Sequence, residues 1–263
     1  MDLGLKGRVA IVAASSQGLG KAVAMALARE GTRLAMCARR IEAIESAAEE
    51  IRRATGAEVL AQAADVTREE DVKRLVDGTL KRFEQIDICV TNAGGPPSKP
   101  FAETTHADWA AAVDLNLMSV VHFAREVLPV MRKQRWGRFL TITSVSVKQP
   151  IDGLVLSNSV RSAVSGLVKT LANEYGKDNV TVNNICPGYT RTNRLEALAG
   201  KLASAEGVPR EQVEERWSHL VPLGRLAEPE EFANVVAFLA SERASYVTGA
   251  SIAVDGGLIK AVH

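Results

Sequence analysis

The sequence has few cysteines, no excess of either charge and no long apolar run, and each absence narrows what the chain can be. Its three cysteines, Cys37, Cys89 and Cys186, are far apart and lie in apolar, strand-like runs. They read as buried free thiols in a reducing compartment and exclude a disulfide framework. The four histidines (His106, His122, His219 and His263) form no metal-ligand spacing with each other or with cysteine, so no metal is expected. The chain carries 32 basic and 31 acidic residues, interleaved to a net charge of +1. That excludes the basic stripe a nucleic-acid partner requires. No basic segment followed by a long apolar stretch opens the chain, and no apolar run approaches membrane-spanning length. A soluble, cytoplasmic protein without a membrane partner is expected. No linker, compositional shift, repeat or low-complexity tract divides the 263 residues, so one domain is expected over 1–263.

What is present is an alternation of short β-branched runs with longer stretches of helical periodicity. Strands are predicted at 9–13, 33–38, 58–63, 86–91, 137–143, 180–186 and 251–254. Helices are predicted at 19–29, 41–54, 69–83, 109–132, 160–175 and 230–239. Thr67 with Glu70 three residues on suggests a capped helix start, and Glu228-Pro229 puts proline in a first turn. This order implies an α/β fold: a doubly wound Rossmann domain with a mostly parallel, seven-stranded sheet covered on both faces. Residues 194–220 break the rhythm. They carry two amphipathic patterns (Leu195, Leu198, Leu202; then Val213, Trp217, Leu220) with no strand between them, where a substrate lid is expected.

The segment Ala13-Ala14-Ser15-Ser16-Gln17-Gly18-Leu19-Gly20 follows the first strand and opens the first helix. Backbone N–H groups and a helix N-terminus there form an anion site suited to a dinucleotide pyrophosphate. Gly18 and Gly20 permit close approach of phosphate and of helix to strand. The second strand ends Cys37-Ala38-Arg39-Arg40. A site for NAD(H) places a carboxylate at its end to accept hydrogen bonds from the ribose 2′-hydroxyl. Ala38 stands in that position. Arg39 can clamp a 2′-phosphate and stack on adenine, which favours NADP(H) over NAD(H), with Arg40 beside it. The plain alternative is that both arginines belong to a solvated helix start, although a cation is poorly placed there.

With these segments in order, the chain resembles the short-chain dehydrogenase/reductase family from residue 8 to 257. The glycine-rich turn resembles the family's Thr-Gly-x-x-x-Gly-x-Gly, with Ala13 and Ala14 replacing the threonine and first glycine. Asp65-Val66 resembles the pair beside the adenine, and Thr91-Asn92-Ala93-Gly94 the Asn-Asn-Ala-Gly that lines the cofactor. Asn116 resembles the mid-helix asparagine, and Val254-Asp255-Gly256-Gly257 the C-terminal strand. The loop holding the nicotinamide carboxamide is resembled by Pro187-Gly188 through Thr190 to Thr192. If position 14 requires positive φ, alanine there costs about 1 kcal/mol.

The resemblance also locates the chemistry, and there the chain departs from the family. A serine that orients the carbonyl maps to Ser144. Thirteen residues on, the family's Tyr-x-x-x-Lys pair sits on one helix face, the lysine lowering the tyrosine pKa. Here those positions hold Ser157 and Arg161. An aliphatic hydroxyl is a far weaker acid than a phenol, and a guanidinium stays protonated and relays no proton. Arg161 can still supply charge and meet ribose hydroxyls. Candidate substitutes for the donor are Tyr189, Ser146 and Lys148, although Tyr189 reads more simply as an aromatic packed on the cofactor or under the lid. Lys148 reads as a solvated loop lysine and His219 as a surface or packing residue of the lid.

The resemblance implies an NADP(H)-dependent oxidoreductase acting on a carbonyl or secondary alcohol. The 3-oxoacyl-carrier-protein reductase-like branch is the most similar, here with a nonstandard or water-mediated proton donor. A hydrophobic or acyl-type small-molecule substrate fits the apolar lid. Homotetramers or dimers are implied through the two long helices. The alternative is a cofactor-binding protein without redox activity, a sensor or a silent subunit of a hetero-oligomer.

Overall fold

The computed structural model describes residues 2–262. Seven strands form one sheet: β1 (Val9–Val12), β2 (Arg33–Ala38), β3 (Val59–Ala63), β4 (Ile88–Thr91), β5 (Gly137–Ile142), β6 (Val180–Pro187) and β7 (Ser251–Val254). Their order is β3-β2-β1-β4-β5-β6-β7, and every pairing is parallel. The order reverses between β1 and β4. The crevice beyond the carboxyl ends of those two strands is where such sheets bind ligands.

Nine helices follow among the described residues: α1 (Gly18–Arg29), α2 (Ile41–Thr55), α3 (Glu69–Phe83), α4 (His106–Val113), α5 (Ser119–Gln134), α6 (Val155–Tyr175), α7 (Asn193–Glu206), α8 (Arg210–Leu220) and α9 (Pro229–Ala240). Strand side chains alternate between faces. Ala10 and Val12 of β1 join α1, α2 and α9 through Val23, Leu27, Ile44 and Phe232. Ile11, between them, faces α3, α5 and α6 through Leu75, Phe123 and Val164. All three cysteines are buried and unpaired in strands, and among the described residues no helix is long and apolar enough to cross a membrane.

Three expectations need correction. The stretch 109–132 is not one regular helix: a wide π turn at Asp114–Met118 lies between α4 and α5. Its apolar spacing resembles that of an α-helix, so periodicity does not reveal it. Thr67 does not cap α3. Its hydroxyl and amide both donate to Asp65 Oδ1, at 2.8 and 3.0 Å, and Arg68 takes the cap position with no side-chain bond. A carboxylate two residues back is the stronger local acceptor. Helix α6 begins five residues before the predicted 160, which brings Ser157 onto it. Pro229 does open α9, with a reciprocal Glu228–Glu231 capping box.

Candidate active site

A cleft of about 1060 Å³ runs across the carboxyl ends of β1 to β6, and the predicted site residues gather around it. At its centre is the glycine-rich turn, where Ala14, Ser16, Gln17, Gly18 and Leu19 line the wall. Helix α1 starts there without a side-chain cap and without an acid in its first turn. Its first N–H groups and dipole are therefore left for an anion. Ala14 adopts φ +47°, so the chain does place an L-residue in the left-handed region where the family pattern has glycine. Two predicted members of the turn do not line the cleft. Ser15 is buried and holds the turn from behind, its hydroxyl donating to Val12 O at 2.8 Å and its amide to Cys37 O at 3.0 Å. Gly20 is buried, and a Cβ there would collide with Ala14 O, so glycine sets how closely α1 sits on the turn.

The outer end lies past β2 and β3. Arg39 and Arg40 are exposed and line the cleft with Ala38, Asp65, Val66 and Thr67. Asp65 is occupied locally by Thr67, and its amide donates to Asp71 Oδ2 at 2.9 Å. That bond holds the Asp71 carboxyl below its usual range.

The inner end lies past β4, β5 and β6. Asn92, Ala93 and Gly94 line it, and Asn92 Nδ2 reaches Ala14 O at 3.5 Å. Ser144 and Ser157 face the same space from the end of β5 and from α6. Ser144 Oγ already accepts from the Ser146 amide at 3.1 Å. Arg161, one turn after Ser157, is buried. Its guanidinium donates to Thr143 O (3.1 Å), Ile142 O (3.3 Å) and Gly94 O (3.1 Å), tying α6 to the ends of β5 and β4. Burial, and secondarily the Arg194 charge, lower its pKa to about 10, so it remains a cation at neutral pH. Asn116, in the π turn, donates to Gly94 O at 2.9 Å; its Oδ1 is buried without a protein partner. Asn116 thus shapes the loop from behind rather than lining the cleft.

Beyond β6, Pro187, Gly188, Thr190 and Thr192 line the cleft. Gly188 packs on Asp255, where a Cβ would come within 2.7 Å of its Cα, and the Thr192 hydroxyl caps α7 by accepting from Leu195 N at 3.3 Å. Tyr189 points elsewhere: it stacks on Trp217 with ring centroids 5.0 Å apart, and burial raises its phenol pKa. Lys148 lies near enough to lower the Cys186 thiol pKa against the larger effect of burial. His219 is exposed on α8.

Sequence reasoning missed Arg194. It lines the cleft and donates to Pro96 O at 3.1 Å. Only its place at the start of the lid hinted at a role.

The arrangement is a Rossmann cleft with a hydroxyl-bearing, cationic inner end, and comparison with known proteins agrees. The enoyl-(acyl carrier protein) reductase family model matches residues 13–259. The 3-oxoacyl-[acyl-carrier-protein] reductase FabG of Aquifex aeolicus is 33% identical over 98% of this chain and 100% of its own. L-Sorbose reductase from Gluconobacter frateurii, solved with NADPH and L-sorbose, superposes with a TM-score of 0.95 at 34% identity, covering 100% of both chains. A 7α-hydroxysteroid dehydrogenase solved with NADH and 7-oxo glycochenodeoxycholic acid gives 0.89 at 31% identity, over 100% of this chain and 98% of that one. The chain belongs to the short-chain dehydrogenase/reductase family, and its relatives are oxidoreductases.

Proposed function

We propose that this protein is an NADP(H)-dependent oxidoreductase that interconverts a carbonyl and a secondary alcohol, with an acyl-type or otherwise largely apolar substrate. The observation carrying this reading is the outer end of the cleft, where Arg39 follows Ala38 and no carboxylate occupies the end of β2. A guanidinium there suits a 2′-phosphate and cannot accept the hydrogen bond that a free 2′-hydroxyl donates to a carboxylate. The NADPH complexed with L-sorbose reductase supports it; the NADH complexed with the steroid dehydrogenase is the counterexample that the arginine must answer.

The residues present suit a dinucleotide. Gly18 adopts φ +57°, a Cβ on Gly94 would meet nothing within 4 Å, and the cleft is continuous from Arg39 to Ser157. Ser16 to Leu19 and the α1 N-terminus would hold the pyrophosphate, Asp65 and Val66 the adenine side, and Gly188 to Thr192 the nicotinamide side. The cofactor, when bound, supplies the hydride. Ser144 and Ser157 orient the substrate carbonyl by donating hydroxyl hydrogen bonds. Arg161 contributes a fixed positive charge that favours negative charge developing on the carbonyl oxygen. It moves no proton, because its pKa stays well above neutral and its N–H groups are held by three carbonyls. Tyr189 is a poor substitute donor, since burial weakens its acidity and no cation offsets that. Water in the open cleft delivers the proton.

Leu195 and Leu198 line the cleft from α7, which supports reading 194–220 as the substrate lid. The same reading assigns the protein to the cytoplasm as a homotetramer or dimer built on α5 and α6. The test is turnover: NADPH oxidation with ketones, β-ketoacyl thioesters and quinones. Oxidation with at least one class is expected. NADPH binding with no turnover on any would instead favour a cofactor-binding protein without redox activity, a reading the loss of Tyr and Lys at 157 and 161 would then explain.

A further inference from the structure

The inner end of the cleft is cationic and holds no acid. Asp65 is the single carboxylate among the lining residues. It follows β3, four strand spacings from β5, or about 19 Å at roughly 4.8 Å per strand. Arg161 and Arg194 grip the same short loop from two sides, one through Gly94 O and the other through Pro96 O. The Arg194 guanidinium lies against the face of Gly95, where a Cβ would approach its Nη2 to 3.0 Å. Glycine at 95 is what lets the group lie flat there. Arg194 is exposed, lines the cleft, and among the described residues its side chain makes only that one hydrogen bond, which leaves most of its donor fork to the cleft. It also sits in the first turn of α7, where the helix dipole disfavours a cation. An anion between Arg194 and the serines would relieve both the dipole and the repulsion between the two guanidiniums.

We propose that the substrate carries a carboxylate or similar anionic group, and that Arg194 is the residue that selects it. This rests on the oxidoreductase reading and narrows its substrate class to oxo acids, or the corresponding hydroxy acids, with an apolar body under Leu195 and Leu198 and the anion on the donor fork of Arg194. The reacting carbonyl then meets Ser144 and Ser157.

The test uses the full chain with NADPH and a series of straight-chain oxo acids from four to ten carbons, each paired with its neutral primary amide. The wild type is expected to prefer the acid, by kcat/KM, about 10- to 100-fold at one chain length or more, the worth of a charge-assisted hydrogen bond. Arg194→Gln is expected to bring that ratio near one, and Arg194→Lys to restore part of it, with NADPH affinity held. Absence of preference at every length overturns the proposal. So does a preference that survives in Arg194→Gln, or a loss of NADPH affinity in that variant with the ratio unchanged, which would assign Arg194 to the pyrophosphate. If nothing is turned over, calorimetric binding of acids and amides to the NADPH complex decides the matter separately. Arg194-dependent binding of an acid sustains the anion site while the redox reading fails, and equal or absent binding of both overturns the site.

Discussion

Ala14 occupies the left-handed region at φ +47°, and its carbonyl is held by Asn92. Restoring the family's glycine removes the Cβ clash that this conformation imposes, against a smaller gain in unfolded-state entropy. Ala14→Gly is therefore expected to stabilise the protein by about 0.5–1 kcal/mol. The thermal midpoint should rise by roughly 2 °C in a chain of this size. An unchanged or lower midpoint would show that the turn has adapted to alanine. The sequence marked position 14 because a glycine was absent from a turn that needs one. It marked Arg161 as well, by its place four residues after Ser157, but not the partners Gly94, Ile142 and Thr143, which only the placement of α6 on the sheet brings to it. Ser15, Gly20 and Asn116 were recognisable as members of the site, but motif matching does not distinguish a residue that touches a ligand from one that braces the residue that does. Ser157 and Arg161 give the most informative variants. The double change Ser157→Tyr plus Arg161→Lys rebuilds a phenol one helical turn before an ammonium, facing a cleft with room for the ring. General acid assistance is worth about 10²–10⁴-fold, so reduction of a simple ketone should rise within that range in the double variant and little in either single one. NADPH affinity must first be shown to persist, since Arg161 also ties α6 to two strands. A double variant that binds NADPH and ketone yet reduces no faster would contradict the assignment of these positions.

At the scale of elements, the segment 194–220 has a small core of its own. Ala199, Ala203, Val213, Trp217 and Leu226 are buried together, with Tyr189, Leu195, Leu198 and Leu202 packed on them. Helices α7 and α8 therefore pack as one piece, joined to the loop after β6 through the Tyr189–Trp217 stack. If the segment closes on substrate, the stack must shift. Trp217 emission, resolved by comparison with a Trp217→Phe control, should change when substrate is added to the NADPH complex. An emission unchanged at saturation would leave α7 and α8 a fixed wall of the cleft. The periodicity of Leu195, Leu198 and Leu202 located these helices correctly, and the run of β-branched residues located all seven strands. The π turn around Asn116 escaped because widening one turn leaves the apolar spacing nearly intact. The Thr67 cap failed because α3 starts one residue later, with Arg68 at the cap position, and the Thr67 hydroxyl turns back to donate to Asp65.

For the molecule as a whole, a parallel seven-stranded sheet covered on both faces follows from the alternation of strand and helix, so that much was legible in the sequence; the strand order and the crevice between β1 and β4 came only from the structure. The division of the cleft into a cationic outer end, proposed to read the cofactor, and a cationic inner end, proposed to read the substrate, was only half legible. Arg39 lies at a fixed distance from the strand that carries it, whereas Arg194 reaches its place across the chain from a different element. The central claim concerns the first of these, and titration tests it most directly. NADPH and NADH are titrated calorimetrically into the wild type and into Arg39→Asp. The account predicts tighter binding of NADPH by the wild type and a large loss for NADPH alone in the variant, because a like charge replaces the cation facing the 2′-phosphate. Equal affinity of the wild type for both cofactors, or equal losses for both in Arg39→Asp, would contradict it.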